Sequence, residues 1–264
     1  MLAVLSPAKS LDLDPAPSAV PDSLPQFGPH TAELAERARS LCASDLKRLM
    51  DISDALADLN HARFQVFEPT EYRRDDNAKP AVLAFSGDTY IGLDAPTLAP
   101  EDLWWAQDRL RILSGLYGAL RPLDLMQPYR LEMGTKLDTA RGKDLYAFWK
   151  GVIGPALDAA VADHAHPVIV NLASTEYFKA AEAKRLAHTV ITPVFKDEKD
   201  GRARVVSFMA KRARGMMARF MVVNRLEDPA GLKDFTSGGY SFRPEQSDAT
   251  TWVFQRIQPE AARA

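Results

Sequence analysis

The sequence predicts an α/β or α+β chain: a single domain spanning residues 1–264, built on a mixed β-sheet with helices packed on it. Three observations predict this. Short apolar runs recur at 2–5, 81–85, 110–113 and 168–172, and each gives way at once to polar or turn-forming residues, as buried strands do. Stretches with helical apolar spacing fill the gaps between them. Two further runs, 190–195 and 204–208, flank the polar segment Asp197 to Gly201, which reads as a hairpin, so the sheet is not purely parallel.

The first strand, 2–5, feeds the turn Ser6-Pro7-Ala8-Lys9-Ser10. Such a turn can gather backbone N–H groups, a hydroxyl and an ammonium around an anion, though the glycines of a phosphate-binding loop are absent. Residues 12–29 hold five prolines without periodicity and read as a surface loop. A helix over 31–41 follows, with Thr31 in capping position. Two short helices joined by a tight turn come next, capped by Ser44 and Ser53, with Leu46, Leu49 and Ile52 on one side and Leu56 and Leu59 after them. This pair resembles a helix-hairpin-helix, with Asp51 and Ser53 where that motif usually has glycine. The alternative is a helical corner packed on the core.

The run 81–85 reads as a buried strand ending in Ser86-Gly87-Asp88-Thr89-Tyr90, and 100–107 as a helix. Residues 109–149 carry the densest information. A short strand is broken by Ser114-Gly115-Leu116-Tyr117-Gly118. Two X–Pro pairs and a strand-like segment with Tyr129, Arg130 and Glu132 follow, and Asp144 caps a helix beginning at Leu145. A long loop rich in Arg, Tyr and Glu inside a compact chain is a candidate site. Helical pattern continues to Ala162, interrupted at Gly151 and Gly154-Pro155. The strand 168–172 ends in a turn where Ser174 caps a short helix carrying Glu176 and Tyr177. Ser207 caps a helix over 208–225, and 250–257 is a last strand. On the 208–225 helix Met209, Ala213, Met216, Met217 and Phe220 share one side, while Lys211, Arg212, Arg214, Arg219 and Arg225 cover the other.

Composition is that of a soluble protein, 46% hydrophobic and 26% charged. No segment is apolar for long enough to span a bilayer and no leader opens the chain, so a cytoplasmic location without membrane attachment is expected. Cys42 is the only cysteine. Its spacing with Ala38 and Leu41 predicts a buried structural thiol rather than a redox nucleophile. The five histidines are scattered in no metal-ligand spacing, so neither metal nor cofactor is expected. The formal charge is −2, but residues 202–225 contain seven basic residues and no acid. The rest of the chain then stands at −9, the total less these seven. A basic helix face without interleaved acids points to an anionic partner.

Several blocks closely resemble the YaaA peroxide-stress protein family: SPAK at 6–9, LMDISDALADLNHARF at 49–64, LSGLYGALRPLDLMQPYRLEMG at 113–134, GKDLYAFW at 142–149, NLASTEYF at 171–178, and the run from Val194 through Lys211 to Asn224. The resemblance covers nearly the whole chain. It implies a bacterial cytosolic protein that helps cells withstand hydrogen peroxide and has a one-domain fold peculiar to the family. It also implies binding to double-stranded DNA through a basic cleft and a helix-hairpin-helix. It carries over no catalytic residues.

Two functions follow as expectations. In the first, Lys211, Arg212, Arg214 and Arg219, assisted by Lys9 and the hairpin at Ser53, meet phosphates of duplex DNA largely without sequence readout. In the second, the protein is an enzyme acting on a small anionic ligand in a pocket where polar groups at the strand ends converge. The candidates for chemistry there are Lys9, Arg130, Glu132, Glu176 and Tyr177, with Ser6, Asp88, Tyr90, Arg121, Tyr129, Asn171 and Ser174 near them in the reading.

Overall fold

The computed structural model describes residues 1–17 and 20–258. The expected loop over 12–29 and the expected domain end at 264 fall partly on 18, 19 and 259–264, which lie outside the described residues. Leu2–Leu5 is the centre of the main sheet, wholly buried, with Leu110–Ser114 parallel on one side and Val168–Leu172 parallel on the other. Thr189–Lys199 runs parallel to Val168–Leu172, and Thr251–Ile257 parallel to Thr189–Lys199. The edges are antiparallel: Gly118–Leu120 beside Leu110–Ser114, and Ser241–Phe242 beside Thr251–Ile257. The mixed sheet is therefore the one expected. Its central strands are mainly apolar, with Arg111, Ser114 and Asn171 the exceptions, because helices cover both faces, while Thr189–Lys199 alternates buried and half-buried positions. Arg202–Arg204 folds back on it through Asp200-Gly201, both at positive φ (53° and 73°), as a two-residue hairpin turn requires.

The strand order places the site. From Leu2–Leu5 the chain moves to its neighbour Leu110–Ser114, whereas from Val168–Leu172 it moves the other way, to Thr189–Lys199. The connections leaving two adjacent parallel strands thus diverge and open a crevice at their carboxyl ends.

Several expectations are corrected. Residues 81–85 are not a strand. Ala81–Ala84 is one turn of helix, and Phe85–Ser86 pairs with Ser10–Leu11. A four-residue apolar run buried on all sides carries no period to choose between the two, and two alanines favour helix. The segment with Tyr129, Arg130 and Glu132 is irregular, and strand ends at Arg204 rather than 208. The helix at 31 begins earlier, at Gly28, with Pro29 in its first turn, so Thr31 is buried inside it and caps nothing. Cys42 is exposed, not buried. It lies in extended backbone between Gly28–Arg39 and Ala43–Met50, so the spacing with Ala38 and Leu41 is no shared helix face. The cap of the second helix is Cys42 and not Ser44, and the Cys42 thiol donates to Asp45 Oδ2 at 2.9 Å.

Ser207–Val223 is the long helix, with Val206 rather than Ser207 in the capping position. Its main partner is the short helix Asp88–Leu93. Two glycines make that packing possible. A methyl group at Gly215 would collide with the Thr89 carbonyl oxygen, and one at Gly92 with the Arg212 carbonyl oxygen. The two helices touch backbone to backbone.

Candidate functional site

A cavity of ≈340 Å³ lies at the carboxyl ends of Leu2–Leu5 and Val168–Leu172. Its walls come from the loop Ser6 to Ser10, from Ser86 to Thr89, from Glu132, from Ser174 to Tyr177, and from Lys211 and Arg214 of the long helix. Its volume suits a small molecule.

The floor is tied across the two strands. Ser6 Oγ accepts from Ser174 N (2.8 Å) and donates to Ser174 Oγ (3.3 Å). Ser174 Oγ also accepts from Tyr177 N (3.4 Å), the helix cap expected for this residue. With both acceptor roles filled, the Ser174 hydroxyl proton is left to donate. Tyr90 Oη donates to the Ser6 carbonyl at 3.0 Å, and Tyr129, buried, shares a 2.6 Å hydrogen bond with Ser114 Oγ.

Glu132 links two cations. Its Oε2 lies 3.1 Å from Lys9 Nζ and its Oε1 accepts from Arg130 Nη2 at 2.9 Å. Lys9 is largely exposed at the mouth, and Arg130 is mostly buried, with its Nε lacking an acceptor. Glu176 Oε1 accepts from Gly134 N at 2.9 Å, which fastens the 174–177 wall to the segment carrying Glu132. Burial pushes the Tyr177 phenol well above its ordinary pKa, and Tyr129, Glu176 and Glu132 add to the rise. Tyr177 is therefore a neutral hydrogen-bonding group rather than a base. So Lys9, Glu132, Glu176 and Tyr177 border one cleft, and Arg130 is joined to it through its pair with Glu132.

The basic residues of the long helix do not share one open face. Lys211 and Arg214 border the strand-end cleft. Arg212 borders a second cavity of ≈420 Å³ further along the two helices, with Ile91, Met216 and Phe220. Arg219 is engaged with the end of the short helix, donating to the carbonyls of Leu93 (3.0 Å) and Asp94 (2.8 Å), and Arg225, expected on the helix, lies beyond its end at Val223 and pairs with Asp102 at 2.8 Å. A helical projection groups these side chains by angle alone. The Asp88–Leu93 helix, seated between them through Gly92 and Gly215, divides them. Burial lowers the Arg214 pKa, and its Nε has no acceptor.

The remaining candidates have structural partners. Arg121 binds Asp124, and Asn171 Oδ1 accepts from Ala173 N. Ser53 caps Asp54–Gln65 by accepting from Leu56 N at 3.4 Å, with Asp51 in the left-handed conformation (φ 51°) in the turn before it. Aspartate tolerates that conformation, which is how the turn forms without glycine. Ser53 does not border the cleft, and Lys47 pairs with Asp54 at the start of that helix (2.8 Å).

The sequence profile of the family described as peroxide stress protein YaaA matches residues 1–246. The chain belongs to this family. It is 52% identical over 259 residues to a UPF0246 protein of Caulobacter sp. (strain K31), covering 98% of this chain and 100% of that protein. It is 54% identical over 259 residues to one from Cupriavidus metallidurans (97% and 98% covered). A third, from Ralstonia nicotianae, is 54% identical over 256 residues (97% and 99%). Within this YaaA-family chain, four of the six blocks that carry the resemblance also line the cleft: 6–9 supplies Lys9, 113–134 supplies Glu132, 171–178 supplies Ser174, Glu176 and Tyr177, and the basic run supplies Lys211 and Arg214. What the sequence reading missed is that Lys211 and Arg214 share a site with the strand-end residues. The signal was present in Gly92 and Gly215, two glycines inside helical segments, which mark a close backbone approach.

Proposed function

We propose that this YaaA-family protein acts in peroxide stress through a small-anion site at the strand ends, the ligand being a phosphate or carboxylate compound. One observation carries the reading. Arg214 is mostly withdrawn from water, its Nε lacks an acceptor, and among the described residues no carboxylate lies within 4.0 Å of it or of Lys211. A withdrawn cation left without a counter-ion weakens a fold unless it serves a ligand. The Ser174 hydroxyl and Lys9 at the mouth supply further donors.

Titration with inorganic phosphate, followed by ³¹P line broadening and by thermal shift, tests it. Wild type is expected to bind and Arg214→Met to lose binding, and Arg214→Met is expected to fail to restore peroxide survival in a strain lacking its own copy. Equal phosphate binding by both proteins would remove Arg214 from the site and with it the reading.

A second reading, binding of duplex DNA, is favoured by a separate observation. Lys211, Arg212, Arg202 and Arg204 are exposed and, among the described residues, have no acidic partner within 4.0 Å. Cations held free on a surface suit a phosphate backbone. The cleft itself, where Asp88, Glu132 and Glu176 stand beside Lys9, Lys211 and Arg214, offers a polyanion no net attraction.

A further inference from the structure

The strand-end cleft holds unpaired acids as well as unpaired bases. Glu132 is satisfied by Lys9 and Arg130. Asp88 and Glu176 are not: among the described residues neither has a cation within 4.0 Å, although both border the same cavity as Lys211 and Arg214. The contact of Gly215 with Thr89 brings Asp88 and Arg214 onto touching elements, yet their side chains do not pair. An acid in the first turn favours its own helix, and that alone would account for either Asp88 or Glu176. It does not account for two acids and two cations sharing one cavity without joining. Glu176 and Lys211 are exposed and water meets their charges, but Asp88 is half-buried and Arg214 mostly withdrawn, and a ligand that fits between them satisfies both.

We infer that the ligand of this cleft is dipolar: a small phosphate or carboxylate compound that also carries an ammonium group. Its anionic end meets Arg214 and Lys211, and its ammonium meets Asp88 and the free oxygen of Glu176. This deepens the small-anion reading and rests on it. The chemistry is recognition by charge-assisted hydrogen bonds at both ends. A polyanion such as nucleic acid meets only the first half of that requirement.

Two probes with the same number of heavy atoms separate the possibilities: 2-aminoethyl phosphate and n-propyl phosphate, measured by calorimetry against the full-length protein. Wild type is expected to bind the amino compound at least about tenfold tighter, the value of one charge-assisted hydrogen bond. Asp88→Asn is expected to bring the two within about twofold by weakening only the amino compound, with Glu176→Gln acting in the same direction. Asparagine and glutamine keep shape and hydrogen bonding, so both variants should fold. Equal or tighter binding of n-propyl phosphate by wild type overturns the dipolar ligand and leaves the anion site standing. A preference that survives unchanged in both variants overturns it as well. If neither compound binds, the anion site is absent and both readings fall together.

Discussion

If Arg214 is held for a ligand, removing its charge strengthens the empty protein while it destroys the site. Arg214→Met keeps an unbranched, flexible stem for packing and deletes the guanidinium. The Nε–H is buried without an acceptor, and such a donor costs about 1–3 kcal/mol. The far end of the group borders the open cleft and stays partly hydrated, so the lower part of that range applies, a gain of about 1 kcal/mol. For a chain of this size that corresponds to a rise in Tm of about 2–4 °C. Although burial lowers the Arg214 pKa, arginine remains charged across the working range, so the gain is flat with pH. Phosphate supplied at a hundred times its dissociation constant adds about 2.7 kcal/mol to wild type and nothing to the variant. The two melting curves therefore cross in order on adding phosphate: variant higher without it, wild type higher with it. A variant that is less stable than wild type by 1 kcal/mol or more without ligand would refute the reasoning, since Arg214 would then be a structural residue. About 1 kcal/mol is well within the resolution of calorimetry.

Other consequences follow from single contacts. Glu132→Gln leaves Lys9 and Arg130 facing one another without the shared carboxylate. A loss of about 1–3 kcal/mol in urea unfolding is expected, less than the penalty for a fully buried pair because the site borders water. Asp158 accepts from Ala187 N (2.9 Å) and His188 N (3.2 Å) and pairs with His188 Nδ1 at 2.9 Å. Burial alone would raise its pKa, but these hydrogen bonds hold it below the ordinary carboxylate value. Its stabilisation is then present above the ordinary carboxylate value and disappears as pH falls through the folded one. Wild type is expected to exceed Asp158→Asn by about 1 kcal/mol at neutral pH and to converge with it in acid, as followed by thermal unfolding between pH 7 and 3. For DNA, the double change Lys211→Ala with Arg212→Ala is expected to flatten the dependence of log affinity on log salt by up to about two units. An unchanged slope removes both from the interface.

The central strands could be read from sequence because each is buried on both faces and so is apolar at most positions, Arg111, Ser114 and Asn171 being the exceptions. The caps Asp144 and Ser174 could be read because a side-chain oxygen three residues before a free N–H is a local event, here 2.8 Å and 3.4 Å. What failed was non-local. Nothing in residues 81–85 says that burial there is met by a turn of helix. Nothing in the spacing around Cys42 says that one helix ends at Arg39 and another starts at Ala43. The cleft was half visible: polar residues after strands foretold convergence of Lys9, Glu132 and Glu176. The helical projection of 208–225 foretold a basic side but not the helix that divides it.

The tie between Ser6 and Ser174 spans 168 residues of chain, and Arg214 joins the cleft from farther still. During synthesis the loop at Ser6 emerges first and waits for nearly the whole protein before its counterparts exist. No fragment with a whole cleft forms early, because each wall alone presents only a few charges to water. Completion of the cleft and completion of the fold are one event in time. A nascent chain stalled before the long helix lacks Lys211 and Arg214 and with them one wall of the cleft.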